Sequence, residues 1–440
     1  MVRVEVLTAA DADDRQRRAA GALAAAGCRA GDRVAFCLPS SADLLCAVLG
    51  AARTGLVPVL LNATLLESER DLLLHDADPR VTVTDPESLA ALSGGPPVDL
   101  APRPLTRPMH YTSGTTGRPK GVTTGLWDEA TAAAVFDDEA DLWEFSREDL
   151  HMVCSPMYHT VSVRFAAGTL GRGGSLAILT RYDAATALDV LRRLRPTTAF
   201  LAPVHLQRLL ALPDLGEDER FSCLRLLVHA GSSCPSVLKR AALERVGDGV
   251  LWEFYGSTEG QFTVCSPEEW LARPGTVGRA RPGRRIFTED EGIWCEPPPF
   301  ARFSYWRDEE ATAAAWRDGA FTVGDLGHLD QKGYLFLSGR RHDLVITGGV
   351  NVYPAEVEAA LLEVDGVEEV AVFGRDDDEW GQRVCAAVVG SADLGDVRRA
   401  AERTLAPYKR PKEYVRAPDL PHTATGKLLR RQVREHLGLS

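Results

Sequence analysis

The sequence predicts an α/β fold of layered βα units, and three observations carry that prediction. Short aliphatic and β-branched runs alternate with longer helical runs through most of the chain. The 440 residues are 45% hydrophobic and 25% charged, enough to bury a large core and to divide into more than one domain. Near Gly339 the character of the sequence changes to a compact, charged α+β segment.

The elements follow in order. Residues Asp32 to Leu38 read as a strand after a Gly-Asp turn, Ala42 to Thr54 as a helix, and Val57 to Asn62 as the next strand. The unit recurs as Val81 to Thr84 with a helix after it, as Ser175 to Leu179 with Ala184 to Leu194, and as Leu224 to His229 with Ser236 to Val246. Strands separated by helical runs imply parallel sheets covered on both faces. Beyond Gly339, a helix from Glu356 and strands at Val370 to Phe373 and Arg383 to Val389 are expected.

Charge and cysteine usage exclude several classes. A net charge of −12 argues against general nucleic-acid binding, which calls for a basic patch. The nine cysteines are odd in number, scattered and without ligand spacing, as expected of reduced core thiols in a cytoplasmic protein. Neither an apolar leader nor a run near the ~20 residues of a membrane span is present, so no membrane partner is expected.

The most informative segment is Tyr111 to Val122, YTSGTTGRPKGV, which packs hydroxyls, glycines and a lysine into one loop. Glycines let backbone approach a ligand, hydroxyls and N–H groups bind phosphate oxygens, and Lys120 places a cation over them. Thr112, Ser113, Gly114, Thr115, Thr116 and Lys120 are therefore the candidate triphosphate cradle. Pro119 precedes the lysine and a strand-like Gly121 to Thr124 follows, so a hairpin loop is expected in place of a helix N-terminus.

Further motifs run in step with it: Tyr255 to Gly260 (YGSTEG), Gly324 to Gly327 (GDLG) with Asp330, Gly333 and Tyr334, Gly339 to Asp343 (GRRHD), Gly348 to Glu358, Leu405 to Pro411, and Thr423 to Lys427 (TATGK). In content and order they resemble the acyl-adenylate-forming superfamily of acyl-CoA synthetases, adenylation domains and luciferases. The resemblance implies a large adenylating domain over 1–339 and a small mobile lid domain over 340–440. It also implies shortening between the strand at Val81 and the phosphate loop and between Val277 and Phe321, reshaping the acid pocket and sparing nucleotide binding.

Carboxylate activation joins two anions, so charge must be neutralised and the partners held in line. Glu259 is the candidate Mg²⁺ ligand, since Mg²⁺ takes one or two carboxylates beside phosphate oxygens and water. The resemblance implies that Tyr255 stacks on adenine, with Gly231, Ser232 and Gly256 around the nucleotide. It further implies that Thr258 binds the α-phosphate and that Asp325 and Arg340 hold the ribose. It implies that Lys427 bridges carboxylate and α-phosphate in the transition state, with a hinge near residues 340 to 343, where His342 departs from the usual Asp or Lys and reads as an exposed histidine. By family position the acid pocket is expected to include Tyr158, His159, Val163, Arg164, His229, Gly260 and Gln261. His159 gates the pocket, polarises the acid or is simply packed, and Arg164 either faces solvent or pairs with an anionic acid.

The expected activity is ATP- and Mg²⁺-dependent acyl-adenylate formation with pyrophosphate release, followed by transfer to a thiol. Coenzyme A is the first choice of acceptor, with a carrier protein using the same loop at Gly348 and Gly349. Two alternatives stand beside it. One is a diazotase of natural-product biosynthesis that activates nitrite and joins it to an aryl amine; the other is a non-catalytic adenylate-binding protein, against which Lys120, Glu259, Asp325 and Lys427 argue.

Overall fold

The computed structural model describes residues 2–112, 119–340, 343–347, 350–377, 381–423 and 428–439. Two six-stranded sheets organise the larger part. One runs Val4–Leu7, Ser175–Leu179, Leu150–Val153, Thr198–Phe200, Leu226–His229 and Leu251–Glu253, with only its first strand antiparallel to its neighbour. The other runs Ser304–Tyr305, Lys120–Thr123, Met109–Thr112, Val57–Leu60, Arg33–Phe36 and Val81–Val83, its last four strands parallel.

The predicted βα units are all present, with ends that coincide or shift by one or two residues. The Ala42–Arg53 helix starts at a Ser41 side chain that accepts from Leu44 N, and ten of its twelve residues are buried. It needs that apolar coat because it lies between the sheets. Val34, Phe36, Leu60 and Val83 of one sheet, Val153, Leu176 and Ile178 of the other, and Val163, Ala166 and Leu170 of the Thr160–Gly171 helix join it in one core. Gly50 lets another helix come close, since a Cβ there would lie 2.4 Å from the Gln16 carbonyl oxygen.

A third sheet contains Arg285–Glu289, Gly292–Glu296, Ala320–Phe321, Asp325–Leu329 and Leu335–Arg340. Beyond it, the strands Val345–Thr347, Val350–Val352, Val367–Asp377, Gly381–Gly390 and Glu413–Arg416 form a separate sheet. That sheet packs on the Pro354–Leu362 and Leu394–Thr404 helices around its own core of Val345, Val357, Val372, Val388 and Val397. The molecule is thus a layered α/β body with a small α+β unit at its C-terminal end. All nine cysteines are unpaired thiols, six of them buried. Among the described residues no helix is long and apolar enough to cross a membrane.

Candidate functional site

The phosphate loop is the connection of a β-hairpin. Met109–Thr112 and Lys120–Thr123 pair antiparallel, with Thr112 opposite Lys120 and Tyr111 opposite Gly121. This is the expected hairpin, and it sets Thr112 and Lys120 at the two feet of the loop. Ser113, Gly114, Thr115 and Thr116 lie outside the described residues, as do His342, Gly348, Gly349 and Lys427. Ser304–Tyr305 adds to the open edge of the hairpin and brings the Tyr305 ring under Lys120, 5.1 Å from Nζ to the ring centre. Tyr305 Oη then donates to Glu259 Oε1 at 2.9 Å. Burial raises the phenol's pKa, and the Glu259 charge adds to the rise, so Tyr305 stays a donor. It links two of the sequence-predicted residues, though no motif marks it.

YGSTEG forms a tight turn. Ser257 N donates to the Gly260 carbonyl at 2.8 Å, and Phe262 N and Thr263 N return to the Tyr255 carbonyl. Gly256 is required there, since a Cβ would stand 2.8 Å from both the Gln261 Cα and the Gly260 oxygen. On one side of this turn Tyr255 Oη donates to Asp325 Oδ2 at 2.6 Å, and Phe262 covers part of the Tyr255 ring at a centroid distance of 4.9 Å. Asp325 stands directly opposite Arg340 in the third sheet. The proposed adenine and ribose residues are therefore contiguous. Gly231, at φ +95°, has open space where a Cβ would be, and Ser232 follows it half-buried.

On the other side of the turn, Glu259, Gly260 and Gln261 line a cavity of about 170 Å³. Val163, Arg164 and Ala167 of the Thr160–Gly171 helix form one wall, and Ala132, Val135 and Phe136 of the Glu129–Leu142 helix another. Four predicted pocket residues, Val163, Arg164, Gly260 and Gln261, thus share one space.

Arg164 needs correcting: it neither faces solvent nor waits for an anionic acid. Its Nη2 donates to Glu139 Oε1 at 2.8 Å and Oε2 at 3.1 Å, and to Gln261 Oε1 at 2.8 Å. Arg281 Nη1 donates to Glu139 Oε2 and Gln261 Oε1, and its Nη2 to Asp138, which Arg284 grips with both terminal nitrogens. Burial alone would raise the Glu139 carboxyl, but the charges and hydrogen bonds of Arg164 and Arg281 outweigh it and hold the pKa at about 2. With Arg164 committed to Glu139, the diazotase reading loses the free cation it leaned on. Glu139 carries a sequence signal of its own: spaced with Ala132, Phe136 and Ala140, it falls on the apolar stripe of its helix.

The remaining pocket expectations separate. His229 is fully buried away from the cavity lining, 3.8 Å from Glu253, which pairs with the buried Lys239. Burial, then the Lys239 charge, holds that imidazole neutral. It ends an apolar strand and packs there, outside the lining of this cavity. Tyr158 is likewise absent from the lining; its ring lies against His159 at a centroid distance of 4.3 Å, tilted by 51°, and packs against the intersheet core. His159 caps the cavity-lining helix with Nε2 buried and unpartnered, its pKa lowered to about 4 by burial. It is a neutral imidazole that, like Tyr158, is absent from the cavity lining, although the adjoining Thr160 belongs to it.

The model of AMP-binding enzymes matches residues 2–107 and 105–296, and that of their C-terminal domain matches 356–427. An indoleacetate–CoA ligase of Aromatoleum aromaticum is 32% identical over 95% of this chain and 91% of its own. A long-chain-fatty-acid–CoA ligase of Mycobacterium tuberculosis is 30% identical over 98% and 93%. Among solved structures, ATP-bound MatB of Rhodopseudomonas palustris superposes with a TM-score of 0.86 at 30% identity, over 98% of this chain and 94% of that one.

Proposed function

The chain belongs to the AMP-binding enzyme family and is an AMP-forming acid ligase, and on that premise we propose that it activates a small carboxylic acid as its acyl-adenylate and passes the acyl group to coenzyme A. The observation that carries this reading is the turn from Tyr255 to Gln261. One side of it meets Asp325, and the other lines the cavity. Nucleotide and acid would therefore meet at one hairpin. The choice of coenzyme A is supported by relatives whose names specify ligation of indoleacetate and long-chain fatty acids to it.

In the first step a carboxylate oxygen bonds to the α-phosphorus of ATP, the bond to the bridging oxygen breaks and pyrophosphate leaves. In the second, the coenzyme A sulfur replaces AMP at the acyl carbon and the thiol proton passes to solvent. Tyr255 would support adenine, with Gly231, Ser232 and Gly256 beside it, and Asp325 with Arg340 would hold the ribose diol. Thr258 would bind the α-phosphate, and Lys120 with Thr112 and Ser113 to Thr116 the rest of the triphosphate. Mg²⁺, when bound, would neutralise phosphate charge. Glu259 fits it as a single buried carboxylate at the cavity edge, and no cluster of three metal-ligating side chains occurs among the described residues, as suits an ion that takes its other ligands from phosphate and water. Lys427 would enter from a 340–440 lid that moves against the 1–339 body, and His159 would border the reacting carboxyl as a neutral group. Acid-dependent pyrophosphate release, with AMP release that further requires coenzyme A, tests both steps. Pyrophosphate release unaffected by coenzyme A would restrict the proposal to adenylation.

A further inference from the structure

Four arginines line the cavity, and three of them are spent on carboxylates: Arg164 on Glu139, Arg281 on Glu139 and Asp138, and Arg284 on Asp138. The fourth, Arg107, makes one protein hydrogen bond, from Nη2 to the Thr258 carbonyl at 2.8 Å. Among the described residues no carboxylate lies within ion-pair distance of it, and its Nε and Nη1 have no protein acceptor. Burial lowers its pKa to about 10, with the Arg164 charge adding and the Glu259 and Glu139 charges opposing, so it remains a cation at neutral pH. Arg107 is partly exposed, and the atoms it leaves without a protein acceptor sit at the cavity lining, where an entering anion can pair with them.

The cavity shows the same surplus as a whole. Its four arginines face three carboxylates, Asp138, Glu139 and Glu259. If Glu259 serves a metal ion, the surplus doubles. Three further atoms on the lining, His110 Nε2, Thr124 Oγ1 and Thr160 Oγ1, are buried without a hydrogen-bond partner. Apolar walls leave the space around these groups suited to a compact ligand and no long chain.

Resting on the acid-ligase reading above, we propose that the cavity takes a small carboxylic acid carrying a second anionic group, and that Arg107 binds that second group. The first carboxylate is the one activated at the Glu259 side; the second supplies the direct ion pair that Arg107 lacks among the described residues.

Acids paired by size test this: butanoate with succinate, benzoate with isophthalate, and phenylacetate with homophthalate, followed by pyrophosphate release at saturating ATP. The dianionic member should exceed its partner in kcat/KM by at least about 10-fold, from one charged hydrogen bond. Arg107→Met should erase that preference by lowering dianion kcat/KM about 10- to 100-fold, mainly through KM, with little effect on the monoanion; Arg107→Lys should retain part of it. The wild-type preference decides even if the methionine variant does not fold. Preference for monoanions, or no dianion turned over, overturns the inference. Equal loss of both members in Arg107→Met also overturns it, since the arginine would then hold the reacting carboxylate or the Thr258 turn. Nitrite-dependent turnover with an aminobenzoate, dependent on Arg107, would reassign it to a small reacting anion. Failure with every acid would instead sink the ligase reading beneath it.

Discussion

Arg164 and Glu139 face each other across the gap between two helices, the arginine giving Nε and Nη2 to the carboxylate at 2.8 to 3.2 Å. The Glu139 side chain is 13% exposed, and Arg281, at 3%, shares it. Breaking a buried pair from one side leaves the other charge stranded, at a cost of about 3–5 kcal/mol. Glu139→Gln should lose about that much in urea unfolding. Arg164→Ala should lower stability while leaving relative acid preference in place, and an altered preference with unchanged stability would return Arg164 to the substrate.

Tyr255→Phe removes the donor to Asp325 and keeps the ring. One such bond, worth about 1–2 kcal/mol where its partner is charged, should raise the KM for ATP about 5- to 30-fold and leave the KM for the acid alone. Steady-state kinetics with each substrate varied would show it; a shift confined to the acid would contradict the assignment.

Replacing Glu259 with Gln keeps its volume and removes the charge proposed for Mg²⁺. Adenylation should fall and recover in part at high Mg²⁺. Tyr305→Phe, which takes away only the hydrogen bond to Glu259, should shift the Mg²⁺ requirement in the same direction by about 10-fold or less. A Mg²⁺ titration unchanged in both variants would move the ligand elsewhere.

Lys427 and Gly349 separate the half-reactions. Lys427→Ala should slow adenylate formation by about 10²-fold or more, as loss of a transition-state charge contact does. It should spare thioester formation from a presynthesised acyl-adenylate. Gly349→Leu should do the reverse, blocking the thiol and sparing pyrophosphate release. Equal loss of both steps in either variant would mark the residue as structural.

Five histidines are held neutral chiefly by burial: His110 and His151 at about 3, His159 and His205 at about 4, and His229 well below its ordinary value of 6.5. Because the folded pKa is depressed, each contributes stability above pH 6.5 that is lost as pH falls towards its folded value. In that window the unfolded chain binds one more proton per histidine, about 1.4 kcal/mol per pH unit for each. Urea midpoints should therefore be level from pH 7 to 8 and fall steeply from 6.5 to 5. A constant midpoint down to pH 5 would show that the histidines are not buried neutral.

The nucleotide side was legible because its chemistry lies in short, unusual strings: Tyr255 and Asp325 each stand in a glycine-framed motif, and the structure brings them to 2.6 Å. Strand and helix positions were legible from periodicity, with the ends left to capping and pairing. The acid side was not. The apolar-stripe spacing of Glu139 is masked by the acidic run Asp137 to Asp141, which reads as a solvated face, and Arg107 is one charge ahead of a conspicuous motif. Tyr305 reaches the site through pairing with a strand nearly two hundred positions earlier, which no local pattern encodes. His229 lies outside the cavity lining beside Glu253 and Lys239, neighbours that family position does not encode.

The cavity has one wall fixed by interlocked charges and two built from modest side chains on helices, Ala132, Val135, Val163 and Ala167. Exchanging alanine for valine or leucine at the latter changes depth and contour without disturbing any ion pair or the hairpin that faces the nucleotide. Such a scaffold can diverge in the acid it accepts by steps of two or three carbons while its phosphate chemistry stays constant. For redesign, the helix faces are the positions to vary, and Glu139, Arg281 and Gln261 are the ones to leave untouched.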